Sequence, residues 1–259
     1  MSFYANTQTT GISMEELSSR TPAAFATRPH EKCSARYGYI DSQRLVSYFL
    51  EEGYSVADSR GGQRGSSLEY GMHTIRMRAP STTVIVGDLY PEVVLTNSHD
   101  KSSRAILDLG IYRGACSNGL VVGTSAGLRF SIPHVGDQRE AVITAADKAM
   151  EYVPRLKEVV GAWSARKMSA DEMLEFNRRA LIIKPSKGEV NLLIPRRQED
   201  YADTLWNVFN RAQENILTGG TPYSGKNNRR LRTRPVGSVR KALDTNQRLW
   251  ELAEEFLPA

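Results

Sequence analysis

Residues 73–98, HTIRMRAPSTTVIVGDLYPEVVLTNS, decide the fold. In HTIRMRA the apolar Ile75 and Met77 alternate with Thr74, Arg76 and Arg78, a period of two that predicts a strand with one core face and one basic face. TTVIVGDLYPEVVLTNS is dense in β-branched residues and interrupted by Gly, Asp and Pro, the punctuation of strands and turns. Outward from this segment the same signature recurs in YSVADSR (54–60), RAILDLGIYRGACS (104–117), LVVGT (120–124) and LRFSI (128–132). Together they predict a meander of about five or six antiparallel strands.

The period changes to that of helices on either side. Ser13 as N-cap with Glu15 and Glu16 behind it predicts a short helix that stops before Pro22. Asp41 or Ser42 caps a second, with Leu45, Phe49 and Leu50 on one face and Gly53 at its end. After Pro133, Val142, Ala145, Ala146, Ala149, Val153, Leu156 and Val160 recur at spacings of three and four. That pattern predicts a long helix capped by Asp137 and kinked at Pro154. Ser169 and Glu172 form a capping box. PRRQEDYADTLWNVFNRAQENILTGG (195–220) is an amphipathic helix closed by Gly219 and Gly220, and SVRKALDTNQRLWELAEEFL (238–257) is another. The fold class is α+β: an antiparallel β-meander packed by helices, with a mostly helical C-terminal half. The expected division is a mobile N-terminus at 1–12, a core at 13–163, and a helical part at 164–259 carrying a basic arm at 221–241.

The chain has 259 residues, 40 % of them apolar, which is enough for a core without staples. There is no apolar run of about 18 residues and no leader-like start, so no membrane span is expected and a cytoplasmic location is. Two cysteines without a CxxC pair give no framework for a metal, and no cofactor motif is present; neither metal nor cofactor is expected. The net charge is +5, but it is not spread evenly. Lys226, Arg229, Arg230, Arg232, Arg234, Arg240 and Lys241 lie in SGKNNRRLRTRPVGSVRK (224–241) without one carboxylate. Without these seven the chain holds 34 − 7 = 27 basic against 29 acidic residues. Such a tract predicts a flexible arm that binds a polyanion.

Four further arginines, Arg60, Arg64, Arg76 and Arg78, lie on or beside the first strands, with Tyr54, Tyr70 and Tyr90 among them. Cations for phosphates and planar rings for bases are what single-strand binding requires. For chemistry, His99 and Asp100 in NSHD are candidates for a general base and its orienting carboxylate, and His134 for a second base. The alternative for NSHD is a tight turn closed by Asn97, Ser98 and Asp100. Cys116 with Asn118 reads as a thiol set only if a histidine joins it, and as a small core residue otherwise.

HEKCSARYGYI (30–40), LTNSHDKSSRAILDLGIYRGACSNGLVVG (95–123) and IPRRQEDYADTLWNVFNRAQENILTGG (194–220) resemble, in that order, a phage/plasmid-like family known only as a domain of unknown function. NSHD and CSNGL are its more specific motifs. The resemblance implies a mobile-element protein in a bacterial cytoplasm that acts on nucleic acid or on host defence. By topology alone the helix, meander and long helix are also similar to single-strand annealing proteins, which assemble into rings or helices. The expected function is a single-stranded DNA binding and annealing protein that forms homo-oligomers, with RNA as an alternative ligand. An enzyme using His99 and Asp100, and an anti-defence protein that binds a host complex, are the competing readings.

Overall fold

The computed structural model describes residues 11–80, 89–113, 119–121, 129–132, 134, 139–225 and 229–257. The chain divides into two compact units, the first of residues 1–119 and 127–153, the second of residues 120–126 and 154–259.

Unit 1 opens with α1 (Met14–Arg20), whose Ser13 hydroxyl accepts the Glu16 N–H at 3.1 Å. In α2 (Ser42–Glu51) the Asp41 carboxylate accepts the Arg44 N–H at 3.0 Å. Both caps satisfy N–H groups that a helix start leaves open. The strands are β1 (Ser55–Arg60), β2 (His73–Arg78), β3 (Leu89–Asn97), β4 (Ala105–Arg113), β5 (Gly119–Val121) and β6 (Arg129–Ile132). β1 to β4 pair antiparallel in chain order, β5 follows β4, and β6 also pairs with β4. Six strands agree with the expected meander. Alternation places Val56, Ile75, Met77, Val93, Leu95 and Leu107 in one buried cluster with Leu17 of α1, Val46 and Phe49 of α2, and Ala145 of α4 (Arg139–Glu151). On the other face stand Arg76, Arg78 and Glu92, as the period of two requires.

α3 (Ser66–Tyr70) begins inside the glycine-rich SRGGQRGSS (59–67). One local expectation changes. The expected long helix is two, α4 and α5 (Val153–Ala165), and the boundary between the units falls at this break. Pro154 is the reason. It has no N–H to give to a carbonyl four residues back, so it fits the first turn of a new helix, not the middle of an old one.

Unit 2 contains α6 (Ala170–Ile183), α7 (Leu205–Thr218) and α8 (Val239–Glu254). Ser169 and Glu172 make the capping box in both directions. α7 is buried from Leu205 through Ile216. All three tryptophans of the chain meet around it: Trp163 lies 4.2 Å from Trp250 and 6.3 Å from Trp206, centroid to centroid, with Phe209 between at 5.4 Å from Trp163. Rings offset or tilted at these distances attract beyond the area they bury. The basic arm folds too. Residues Pro222–Ser224 (β7) and Arg230–Arg232 (β8) form a two-stranded antiparallel ribbon, with Tyr223 opposite Leu231.

Candidate nucleic-acid interface

The ribbon is held at its base by α7. The buried Asn215 side chain donates to the Leu192 and Ile194 carbonyls at 2.8 and 2.9 Å and accepts from Arg196 and the Thr221 hydroxyl at 2.7 and 3.1 Å. Gly220 N–H donates to the Thr233 carbonyl, and Thr233 N–H to the Thr221 carbonyl, closing the ribbon. Gly219 makes the exit from α7 possible, with φ +65° and a Cβ position only 2.5 Å from the Pro235 nitrogen. A side chain there meets both left-handed strain and backbone. Gly219→Ala is therefore expected to lower the stability of unit 2 by about 3 kcal/mol, measured by urea denaturation followed on tryptophan fluorescence.

Below the ribbon opens a cleft of about 440 Å³. Its apolar wall includes Leu181, Pro185, Ile216, Tyr223 and Leu231, its cationic lining is Lys184, Lys187, Arg232 and Arg234, and none of its lining residues is acidic. Arg229, Arg230, Arg232 and Arg234 are all exposed. Among the described residues, Lys184, Lys187, Arg229, Arg230 and Arg234 have no carboxylate partner, and Arg232 donates only to the Gly220 carbonyl at 2.8 Å. Arg240 and Lys241 are exposed in the first turn of α8, which contains no acidic residue. Cations at a helix N-terminus oppose its dipole, so their placement there costs stability. Lys226 lies outside the described residues.

The arginines of unit 1 are placed differently. Arg76 Nε lies 2.7 Å and Arg78 Nε 3.2 Å from the carboxylate of Glu92, which is 2 % exposed. Arg76 also reaches Asp58 at 3.7 Å, Arg60 reaches Asp58 at 3.8 Å, and Arg78 lies over the Tyr90 ring at 4.8 Å. Two carboxylates thus offset most of this charge. Arg64 is exposed in the loop before α3, without a carboxylate partner among the described residues.

NSHD is the hub of unit 1. The expected turn is present: Ser98 N–H donates to Asn97 Oδ1, Ser102 N–H to Asp100 Oδ1, and the Ser98 hydroxyl exchanges bonds with Ser103. HEKCSARYGYI folds onto it. The His99 carbonyl accepts from His30 N–H and Cys33 Sγ, the Ser98 carbonyl from the Tyr37 hydroxyl, and Lys32 pairs with Asp100 at 3.1 Å. All four histidines of the chain gather here. His73 and Tyr39 lie 5.3 and 5.0 Å from His99, His134 stacks on Tyr37 at 4.6 Å, and His30 donates to His99.

His99 is fully buried, and neither ring nitrogen has a hydrogen-bond partner; the Ala23 carbonyl lies nearby without closing one. Burial, then the neighbouring His73 and His134, lowers its pKa to about 3. Burial lowers that of His73 to about 4. A bonded chain fixes the neutral tautomer of His73: Asn97 Nδ2 donates to Ser42 Oγ, Ser42 meets His73 Nε2 at 2.8 Å, and Nδ1–H donates to the Gly71 carbonyl. In His134 the Nδ1–H donates to the Gly38 carbonyl while Nε2 has no partner. Of His99 and Asp100, adjacent in sequence, one is enclosed and the other is bound to Lys32. Among the described residues no three His, Cys, Asp or Glu side chains are arranged to hold a metal. No helix there is long and apolar enough to cross a membrane. Cys116 and Asn118 lie outside the described residues.

Sequence reasoning missed Lys184 and Lys187, which sit in IIKPSKGEV (182–190), a stretch with no acid before Glu189. It also missed the Ser42, His73 and Asn97 chain, whose members lie on α2, β2 and β3.

The model of a family described as a domain of unknown function, DUF932, matches residues 29–250. Two proteins of Escherichia coli (strain K12), UPF0380 protein YafZ and UPF0380 protein YfjQ, are each 31 % identical, over 256 and 261 residues. Each alignment covers 95 % of this chain and 92 % of the relative. No solved structure matches. With both the unknown-function family and the α+β fold in agreement with the sequence reading, the chain belongs to the DUF932 family.

Proposed function

We propose that this is a nucleic-acid-binding protein, in its most concrete form a single-stranded DNA binding and annealing protein, and that unit 2 holds the phosphate backbone. One observation carries the reading: the ribbon and the cleft below it gather Lys184, Lys187, Arg229, Arg230, Arg232 and Arg234 with no acidic residue lining the cleft. Like charges so close repel one another, and a polyanion relieves that repulsion while releasing its own counterions. The mechanism is non-covalent. The oligomer and the mobile-element setting belong to the same proposal and rest on topology and resemblance.

The test is fluorescence anisotropy with a labelled single-stranded DNA oligonucleotide across a salt series. About five phosphate contacts on a single strand predict a loss of about 100-fold in affinity between 50 and 200 mM salt. Changing Arg230, Arg232 and Arg234 together to alanine is expected to weaken binding at low salt and to reduce the log–log slope by about 2. An unchanged slope and affinity in that variant would sink the assignment.

A further inference from the structure

We infer that the cleft under the ribbon takes one unpaired nucleotide of the bound strand, with its base against the apolar wall and its phosphate on the cationic rim. The inference rests on the nucleic-acid reading and specifies its ligand. A surface that only neutralises phosphates needs exposed charge and no cavity. Here the charge borders a concavity of about 440 Å³, within the range of about 300 to 1,000 Å³ common to small-ligand sites.

The two halves of the cleft differ in chemistry as the two halves of a nucleotide do. Pro185, Tyr223 and Leu231 offer apolar surface and one aromatic ring, while Lys184, Lys187, Arg232 and Arg234 offer donors without a competing carboxylate. The Tyr223 ring is backed on one side by Gly188, where an added Cβ would come within 2.8 Å of Cδ2. β7 is also bridged to Val190. The ring is therefore fixed against backbone and keeps little freedom to lose when a base stacks on it. Arg232 is oriented by its bond to the Gly220 carbonyl, and its other N–H groups remain for a phosphate. A paired base is not available to such a site, because its faces are covered in the duplex stack. Single strands are preferred for that reason.

The experiment uses the full chain and three probes of equal length: a deoxythymidine strand, its duplex with the complementary strand, and a wholly abasic strand. The deoxythymidine strand is expected to bind about tenfold more tightly than the abasic one, the effect of one stacked base. Duplex should bind no better than abasic strand. Tyr223→Ala should erase the preference, and Tyr223→Phe should retain it, which separates loss of stacking from loss of the ribbon. Equal binding of abasic and deoxythymidine strands by the wild type overturns the inference and leaves the backbone reading standing. Failure of all three probes to bind at low salt overturns both.

Discussion

Replacing Asn97 with alanine is expected to cost unit 1 about 4 kcal/mol, one of the largest single-residue effects in the chain. Asn97 is fully buried and uses both ends of its amide. Nδ2 donates to the Ile40 carbonyl at 3.0 Å and to Ser42 Oγ at 2.9 Å, and Oδ1 accepts from Ser98 N–H at 2.8 Å. Each lost bond costs about 1 kcal/mol, and each buried group left without a partner about 1 to 3 more. The loss also propagates, because Ser42 hands its bond on to His73. Urea denaturation of wild type and variant, followed by circular dichroism, measures the change. Ser42→Ala alone and in combination completes a cycle. Coupling of at least 1 kcal/mol is expected if the chain acts as a unit, and additive effects would refute it.

What was legible in the sequence was what is local. The alternation in HTIRMRA placed Ile75 and Met77 in the core and Arg76 and Arg78 on the opposite face, and the strand register confirms it. Ser13, Asp41 and Ser169 were readable as caps because a cap depends on residues three apart. What was not legible depends on pairing across distance. Counting cations on β2 could not reveal Glu92, which stands opposite Arg78 only once β3 is in register. The arm looked flexible because two three-residue strands, Pro-Tyr-Ser and Arg-Leu-Arg, are too short to carry a pattern. Tyr223 and Leu231 pair only because Asn215 of α7 and the Gly219–Gly220 turn bring the strand ends together.

The motifs that carry the resemblance and the charges that carry the proposed function are separate. In HEKCSARYGYI and NSHD the side chains of Lys32, Cys33, Tyr37, Asn97, Ser98 and Asp100 are engaged within unit 1, in the turn and in the bonds that join the two segments. These two segments hold one another in place within unit 1. Among the described residues, the cations of the ribbon and cleft make no such bonds apart from Arg232, so nothing in the described packing dictates them. A similarity that rests on the first set identifies a fold and leaves ligand chemistry to the second.

The histidine cluster makes unit 1 sensitive to acid in a way its sequence composition does not reveal. An unfolded histidine titrates near pH 6.5, whereas folded His73 and His99 resist protonation down to about 4 and about 3. Between those values the unfolded chain holds more protons than the folded one, so stability must fall as pH falls, and is fully present above about pH 6.5. Two such groups predict a loss on the order of 5 kcal/mol by pH 4, comparable with the whole stability of many domains. Protonation also breaks the bonding of His73: with both ring nitrogens donating, the Ser42 hydroxyl can no longer give its proton to Nε2. Unit 2 contains no member of the cluster and holds all three tryptophans. Tryptophan fluorescence therefore serves as an internal control while circular dichroism follows the strands. Urea midpoints taken from pH 7 to pH 4 should fall steeply for the strand signal, and His99→Leu should remove about half of that slope. A strand midpoint that stays constant over this range would show that His73 and His99 are not held neutral by burial.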